Sequence, residues 1–182
     1  MNTTTDNQTI NSILSRTSVR IYDTERKVDR ATVDTLLHAA MAAPSAVNKQ
    51  PWEFIVVDRR DLLDRLADAL PYAKMLSKAP LAIVICGNKS RFLPGTDDSL
   101  WVQDLSAASE NLLIAATALG LGAVWTCVYP HAERENPVHD ILDIPDEIVP
   151  LNIIPIGYPA HTPKPHDKWE PSRVHFNKWD GK

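Results

Sequence analysis

Three side chains suited to binding an anion stand at alternate positions near the start of the sequence. Arg16, Ser18 and Arg20 lie in "SRTSVR", directly after a short stretch with helical spacing of apolar residues. On a helical turn the two guanidinium groups, four residues apart, would point to one side and could hold a phosphate through charge-assisted hydrogen bonds. Two arginines at a solvated helix end explain the pattern equally well as surface charge. The motif alone leaves both interpretations open.

A second polar stretch lies between an apolar helix and an apolar strand. The segment "APSAVNKQPW" places Pro44, Ser45, Asn48 and Gln50 in one short loop. Proline, serine and asparagine are ordinary loop residues because they suit turns. The two side-chain amides also offer paired donors and acceptors, which would match a ribityl chain or the edge of a heterocycle.

Several familiar catalytic and binding sites are excluded by the pattern of residues. The chain has no G-x-x-x-x-G-K-[ST] motif, and "GLGAVW" carries only the first two glycines of a dinucleotide fingerprint. The six histidines lack metal-binding spacing, so we expect no metal site, and no G-x-S-x-G elbow supports a catalytic serine. Cys86 and Cys127 lie in apolar runs, where a thiol is more often inert than reactive.

Length and charge restrict the class of protein. The 182 residues predict one domain spanning 1–182, since no linker divides the chain. A formal net charge of −4 argues against a general nucleic-acid or membrane-surface binder, which would need a basic face. No signal peptide or long apolar span is present, and two cysteines cannot form a disulfide framework, so we expect a cytoplasmic protein.

Hydrophobic periodicity predicts alternating helices and strands. Asp29 can cap a helix that Pro44 stops, and a longer helix runs from a cap at Asp98 or Ser99 to Gly120. The second half of that helix, "NLLIAATALG", is apolar on nearly every side, which predicts burial at the centre of the molecule or at a subunit interface. Four apolar runs predict strands: Trp52–Asp58, Leu81–Gly87, Ala123–Tyr129 and Leu151–Tyr158.

The tail after Tyr158 has no strong period but is rich in apolar side chains. It carries Trp169, Val174, Phe176 and Trp179. Disordered tails usually contain few aromatic residues. The tail is therefore predicted to be an extended arm that packs on a partner subunit.

Four segments taken in order resemble the nitroreductase family of flavin enzymes. They are "SRTSVRIYD", "AAMAAPSAVNKQPWEFIVV", "DLSAASENLLIAATALGLGAVWTCVYP" and "IIPIGYPAHTPKPHDKW". The resemblance extends from about Ile13 to Trp179. It implies an α+β fold with a mixed sheet flanked by helices, and a homodimer that binds two FMN molecules at the subunit interface. The long buried helix and the extended C-terminal arm would then belong to that interface.

The resemblance also implies roles for the basic segment and the arm. Arg16 and Ser18 would contact the FMN phosphate, Thr17 between them would belong to the same cofactor-binding segment, and Lys168 would be a further cationic partner. Arg20 would lie near the N1 and O2 edge of the flavin, where a fixed cation stabilises the reduced ring.

Two further segments are implied to complete the flavin site. Pro44, Ser45 and Ala46 correspond to a segment that crosses the flavin from the other subunit, with Asn48 beside the ribityl chain or ring edge and Gln50 in the same loop. Trp125, Thr126 and Cys127 match the part that runs along the dimethylbenzene and N5 side. A common form of the family motif has glycine where Cys127 stands, so this side chain could narrow the pocket.

The implied chemistry belongs to the cofactor. NADH or NADPH would stack on the flavin, pass hydride to N5 and leave, after which a nitroaromatic, quinone or similar oxidised substrate would take its place in a ping-pong cycle. No side chain is then needed as a catalytic acid or base. Three alternatives remain: dehalogenation, ene reduction or flavin breakdown on the same scaffold; a non-catalytic FMN storage or sensor protein; and a structural α+β dimer without cofactor.

Overall fold

The helices and strands of the computed structural model are interspersed along the chain, of which residues 6–95 and 99–179 are described. The helices are α1 (Gln8–Ser15), α2 (Arg30–Met41), α3 (Arg60–Ala69), α4 (Leu100–Ala118) and α5 (Ala132–Leu142). The strands are β1 (Trp52–Val57), β2 (Leu81–Asn88), β3 (Gly122–Ala123), β4 (Thr126–Cys127) and β5 (Ile148–Gly157).

One sheet forms the middle layer of the molecule. Its order is β1–β2–β5–β3, with β4 also paired to β5, and every pairing between these strands is antiparallel. A parallel bridge between Ser18 and Ala123 makes the sheet mixed at its β3 end. The strands and helices together confirm the α+β fold that the sequence predicts.

The two central strands are apolar on both faces because a helical layer covers each face. Along β2, Ile83 and Ile85 point into the core that α2 and α4 share with the sheet. Val84 and Cys86 alternate with them and point into the core formed with α3 and α5. This three-layer arrangement explains why the strands read as continuous apolar runs.

Local chemistry defines most helix ends as predicted. The Asp29 carboxylate accepts a 2.7 Å hydrogen bond from the Thr32 amide at the start of α2, and that bond lowers the pKa of Asp29. Helix α4 ends at Ala118 and is followed by Gly120, whose φ of 73° is left-handed, and the amide of Leu121 donates back to the Ala116 carbonyl. Such a termination favours glycine. Ser99 occupies the N-cap position of α4, whereas Asp98 lies outside the described residues.

Helix α4 differs from the expectation that its second half is buried on every side. Leu112, Leu113 and Ala116 are buried against the sheet and α2, but Ile114 is only partly covered and Leu119 is 44% exposed. Within this chain α1, α2 and the sheet cover only part of the helix surface, so an apolar strip at Ile114 and Leu119 remains partly uncovered.

The predicted strand Ala123–Tyr129 is two short strands in one register. Gly122 pairs with Gly157 and Thr126 pairs with Ile153, so continuous pairing would set Val124 opposite Pro155. Proline has no amide hydrogen to donate to a neighbouring strand. The ladder is therefore interrupted at Val124 and Trp125.

Arg16 and Arg20 do not lie on a helical turn, the arrangement in which the sequence would let them share one side. Helix α1 ends at Ser15, and Arg16 has an extended ψ of 126°. From there the chain runs alongside the sheet, where Ser18 bridges to Ala123. In an extended chain alternate side chains share a side, and four residues span about 13 Å. The two arginines thus leave the backbone about 13 Å apart instead of one helical turn apart.

The C-terminal segment is an exposed arm. Through residue 179, where its description ends, it has no regular secondary structure apart from a short 3-10 turn at Pro171–Arg173. Its aromatic side chains are largely exposed: Trp169 at 70%, Phe176 at 82% and Trp179 at 76%. The chain itself therefore leaves the apolar part of the arm uncovered.

The described residues contain neither a membrane-spanning helix nor a metal-binding cluster. No helix in residues 6–95 and 99–179 is both long enough and apolar enough to cross a membrane. Over the same ranges, no cluster of three or more histidine, cysteine, aspartate or glutamate side chains could hold a metal ion.

Candidate functional site

A cleft of about 550 Å³ brings together two segments that are distant in the sequence. Arg20 comes from the extended chain after α1, and Trp125, Thr126 and Cys127 come from β4 and the residues before it. Clefts of about 300–1,000 Å³ are typical of small-molecule and cofactor sites. The remaining lining residues are Tyr72, Lys74, Met75, Val124 and Arg134.

The strand interruption opposite Pro155 helps to form the wall of this cleft. Val124 and Thr126 are buried, Trp125 is half-buried and Cys127 is exposed. Because the ladder is broken between β3 and β4, backbone polar groups at this point are not all used in strand pairing. The Cys127 thiol lies on the open side of the wall, where a glycine would leave more room.

The basic segment is held against the end of the sheet. The Val19 amide donates to the Ala123 carbonyl at 3.0 Å, and the Tyr22 hydroxyl donates toward the carbonyls of Val19 at 2.8 Å and Pro155 at 3.1 Å. Tyr22 is buried, and burial raises its pKa. These contacts place Arg20 in the cleft.

Arg16 lies at the other end of the same segment and faces α4. Its Nε atom is 3.3 Å from Oε1 of Glu110, and only 20% of its side chain is exposed. Thr17 is half-buried and Ser18 is exposed beside it. An extended segment thus presents one arginine in the cleft and a second about 13 Å away along the chain.

The amide-rich loop is braced by its own polar groups. The Ala46 amide donates to Oδ1 of buried Asp104 on α4 at 2.8 Å. The Gln50 amide donates to the Ser45 hydroxyl at 2.9 Å, and the Gln50 side chain donates to Oδ1 of Asn48 at 3.0 Å. The two amides that the sequence suggested as cofactor partners therefore bond to each other.

This loop also carries strained backbone. Val47, Asn48 and Gln50 all have positive φ, at 50°, 56° and 48°. Val47 is β-branched and 77% exposed, so its left-handed conformation is uncommon and is imposed by the bracing around it. None of the loop residues, Pro44 included, lines the cleft that contains Arg20.

Lys168 is exposed on the C-terminal arm. Within the described part of the chain, no hydrogen bond joins Lys168 to the segment that carries Arg16 and Ser18. The single chain therefore brings Arg20 together with Trp125, Thr126 and Cys127, and leaves Lys168 and the 44–50 loop apart from them.

The cleft suits a planar, partly anionic cofactor such as FMN. Half-buried Trp125 and exposed Cys127 line it beside Arg20, a cation that no ion pair in the described residues neutralises. Arg16 could hold a phosphate at a distance that one extended segment sets. Arg16, Ser18 and Arg20 would hold the two ends of the molecule, and Trp125–Cys127 would flank its ring.

Five lining residues were not among the sequence-based candidates, and one of them, Val124, directly precedes the candidate Trp125. Tyr72, Lys74 and Met75 lie between α3 and β2, and Arg134 lies in the first turn of α5. They converge only because α3 and α5 pack on the same face of the sheet. Their sequence positions carried no periodic or spacing signal that could have identified them.

Comparison with known proteins points to one family. The model of the "Nitroreductase family" matches residues 13–73 and 68–158. A protein of Methanothermobacter thermautotrophicus, provisionally named NADH dehydrogenase/NAD(P)H nitroreductase, is 43% identical over 171 residues, covering 93% of this chain and 87% of the relative.

Two solved structures are similar over nearly their whole length. A Parabacteroides distasonis protein with the same provisional name has 46% identity and a TM-score of 0.90, covering 96% of this chain and 100% of that one. A provisionally named nitroreductase of Desulfovibrio desulfuricans, solved in complex with FMN, has 27% identity and a TM-score of 0.79, with 96% and 99% covered.

Proposed function

This chain belongs to the nitroreductase family, and we propose that it reduces a nitroaromatic, a quinone or a similar small oxidised substrate in a ping-pong cycle. It is an FMN-dependent NAD(P)H oxidoreductase, in keeping with its family and relatives. For a quinone, one turnover consumes NAD(P)H and a proton and yields the hydroquinone and NAD(P)⁺.

The observation that carries the proposal is the meeting of Arg20 with Trp125–Cys127 in one cleft. More than one hundred positions separate the two segments in the sequence. Each alone has an ordinary structural explanation, as surface charge or as an apolar strand. Their meeting in an open cleft supports a shared ligand with a flat ring and an electron-rich edge.

When bound, FMN supplies the redox chemistry by accepting a hydride at N5 and passing two electrons to the substrate. Arg20 holds a positive charge at the ring edge, where negative charge develops on reduction. Trp125 packs beside the ring and restricts access of water. The cycle needs no further side chain as a catalytic acid or base.

The phosphate end of the cofactor is assigned to the start of the extended segment. Arg16 and Ser18 bind the phosphate, Thr17 belongs to the same extended segment, and Lys168 joins them from the arm. The separation of Arg16 and Arg20 by about 13 Å supports one arginine at each end of the cofactor. On binding, the phosphate competes with Glu110 for the Arg16 guanidinium.

A homodimer completes the site in this proposal. Pro44, Ser45 and Ala46 reach the flavin of the partner, with Asn48 and Gln50 at its ribityl chain or ring edge. Three features of the single chain support this arrangement: the braced and strained 44–50 loop, the uncovered strip of α4 and the exposed aromatic arm. Each would be covered by a second copy.

The proposal is tested by anaerobic absorbance spectra of the purified protein with FMN, then NADH or NADPH, then a quinone or nitroaromatic acceptor. We expect one FMN per chain, bleaching by at least one nucleotide, and recovery of the flavin band on adding the acceptor. Parallel double-reciprocal plots would support the ping-pong order. Bound flavin that neither nucleotide bleaches would instead indicate a storage or sensor protein, and a failure to bind FMN would refute the cofactor assignment.

A further inference from the structure

The cleft holds more positive charge than the flavin assignment uses. Besides Arg20, it is lined by Lys74 and Arg134, although the whole chain has a net charge of −4. No aspartate or glutamate is among the described residues that line it. An anion inside this cleft would therefore meet several cations and no carboxylate.

Arg134 is the cation with the clearest unmet capacity to bond. Its Nε–H is buried and has no hydrogen-bond acceptor, and its guanidinium forms no ion pair within the described residues. Arg134 nevertheless lines the cleft, and its other guanidinium N–H groups can bind an incoming carboxylate in two-pronged geometry.

Tyr72 gives the same part of the cleft an aromatic surface. The Arg134 guanidinium lies 5.5 Å from the centre of the Tyr72 ring, and Tyr72 is 72% exposed. A planar ligand could pack on the ring with its anionic group toward the arginine. An exposed aromatic ring beside an unsatisfied guanidinium is a combination that fits an aromatic acid.

The other charges nearby do not replace Arg134 in this role. Lys74 already faces Asp68 at 3.7 Å in a pair that is mostly exposed, and such pairs contribute little. Glu133 lies 3.5 Å from His131, and Glu135 is half-buried, with a pKa that burial raises. Neither glutamate lines the cleft.

We propose that Arg134, backed by Tyr72, selects oxidised substrates that carry a carboxylate or a similar anionic group on an aromatic ring. The inference rests on the proposed function and names the substrate class for the same site. Arg134 acts in substrate binding, whereas Arg20 remains with the cofactor. A neutral acceptor of the same shape would be reduced less efficiently.

The test compares two acceptors of nearly the same shape, anionic 4-nitrobenzoate and neutral 4-nitrobenzamide, with the FMN-loaded enzyme and NADH or NADPH. The parent should show the higher kcat/KM for 4-nitrobenzoate, and added salt should reduce that preference. In Arg134→Gln, we expect kcat/KM for 4-nitrobenzoate to fall about 10- to 100-fold, the effect of losing a hydrogen bond to a charged group. The value for 4-nitrobenzamide should change less than about twofold.

Two control variants separate binding from general damage. Arg134→Lys keeps the charge without the planar fork and should restore part of the preference. Arg65→Gln removes an exposed arginine from α3 that does not line the cleft, and should leave both acceptors unaffected. The inference would be overturned if the parent had equal kcat/KM values for the two acceptors. It would also be overturned if Arg134→Gln lowered both kcat/KM values by the same factor.

Separate half-reactions identify the source of the anion. Stopped-flow reduction by NADH or NADPH should be unchanged in Arg134→Gln, while reoxidation by 4-nitrobenzoate should slow. If instead only the nucleotide step slows, Arg134 binds a dinucleotide phosphate and the assignment to the acceptor is wrong.

A binding measurement keeps the inference testable if neither nitro compound is reduced. Benzoate should perturb the flavin absorbance of the parent at lower concentration than benzamide, and Arg134→Gln should remove the difference. Failure of turnover with this binding pattern would count against the proposed substrate reduction alone. Equal binding of benzoate and benzamide would count against Arg134.

Discussion

Arg16 has two possible partners, Glu110 within the chain and a phosphate from the cofactor, and paired substitutions can separate them. In Arg16→Ala we expect the Kd for FMN to rise about 10- to 100-fold, because a charge-assisted hydrogen bond contributes about 1.5–3 kcal/mol. Fluorescence quenching of free FMN measures this directly.

Glu110→Gln is the matched control for that substitution. It removes the ion pair with Arg16 but keeps the arginine, so FMN binding should be unchanged or tighter. If Arg16 serves only to join the α1 end to α4, both variants should lower thermal stability alike and neither should alter the Kd for FMN. That pattern would remove Arg16 from the phosphate site.

The two cysteines provide an internal comparison within one chain. Cys127 is exposed and lines the cleft, whereas Cys86 is fully buried in β2, and burial raises its pKa to about 12. At pH 8 iodoacetamide should therefore label Cys127 and leave Cys86 unmodified. Bound FMN should protect Cys127, as mass spectrometry of the two peptides would show. Equal labelling with and without FMN would place the flavin away from β4.

Residue identity indicated which side chains could bind an anion, but not their geometry. The alternate spacing of Arg16, Ser18 and Arg20 was visible in the sequence, but a helical turn and an extended chain would both place Arg16 and Arg20 on one side, and only the extended chain would place Ser18 with them. Only the bridge from Ser18 to Ala123 shows which conformation holds. Arg134 could not be predicted, because its role depends on packing between α3 and α5.

At the scale of elements, the close approach of the basic segment to β3 depends on Gly122. A Cβ added there would lie 2.6 Å from the Val19 Cβ, well inside van der Waals contact. We expect Gly122→Ala to destabilise the fold by about 1–3 kcal/mol in urea unfolding, as overpacking does. It should also weaken FMN binding, because Val19 lies next to Arg20.

Trimming Val19 provides the compensating change. In the double variant Val19→Gly with Gly122→Ala, the Val19 Cβ that the new methyl group would meet is removed, and stability and FMN binding should both return toward the parent values. Additive losses in the double variant would show that the contact between the two residues is not the cause.

The elements themselves were largely predictable because their signals are local. The cap at Asp29, the glycine termination of α4 and the apolar runs of β1, β2 and β5 all depend on neighbouring residues. The break between β3 and β4 was not predictable, because it depends on Pro155 lying opposite Val124. Register between distant strands is not encoded in either strand alone.

At the scale of the whole molecule, apolar surface remains where a second copy is proposed to bind. The arm exposes Trp169, Phe176 and Trp179, and α4 leaves Leu119 at 44% exposure. Both cores lie within residues 33–156. The chain can therefore form its interior without the arm, which leaves association as the role that the aromatic residues best fit.

Removal of the arm tests that role. A chain ending at Thr162 keeps both cores and the hydrogen bond from the Ala160 amide to the Ile21 carbonyl. We therefore expect it to fold but to sediment as a monomer with little bound FMN. The milder variant Phe176→Ala with Trp179→Ala removes about 3–6 kcal/mol of apolar burial from each arm. Its dimer dissociation constant should rise at least about 100-fold. A shortened chain that stays dimeric would assign the interface to α4 alone, whereas a monomer that still retains FMN would show that one chain completes the site.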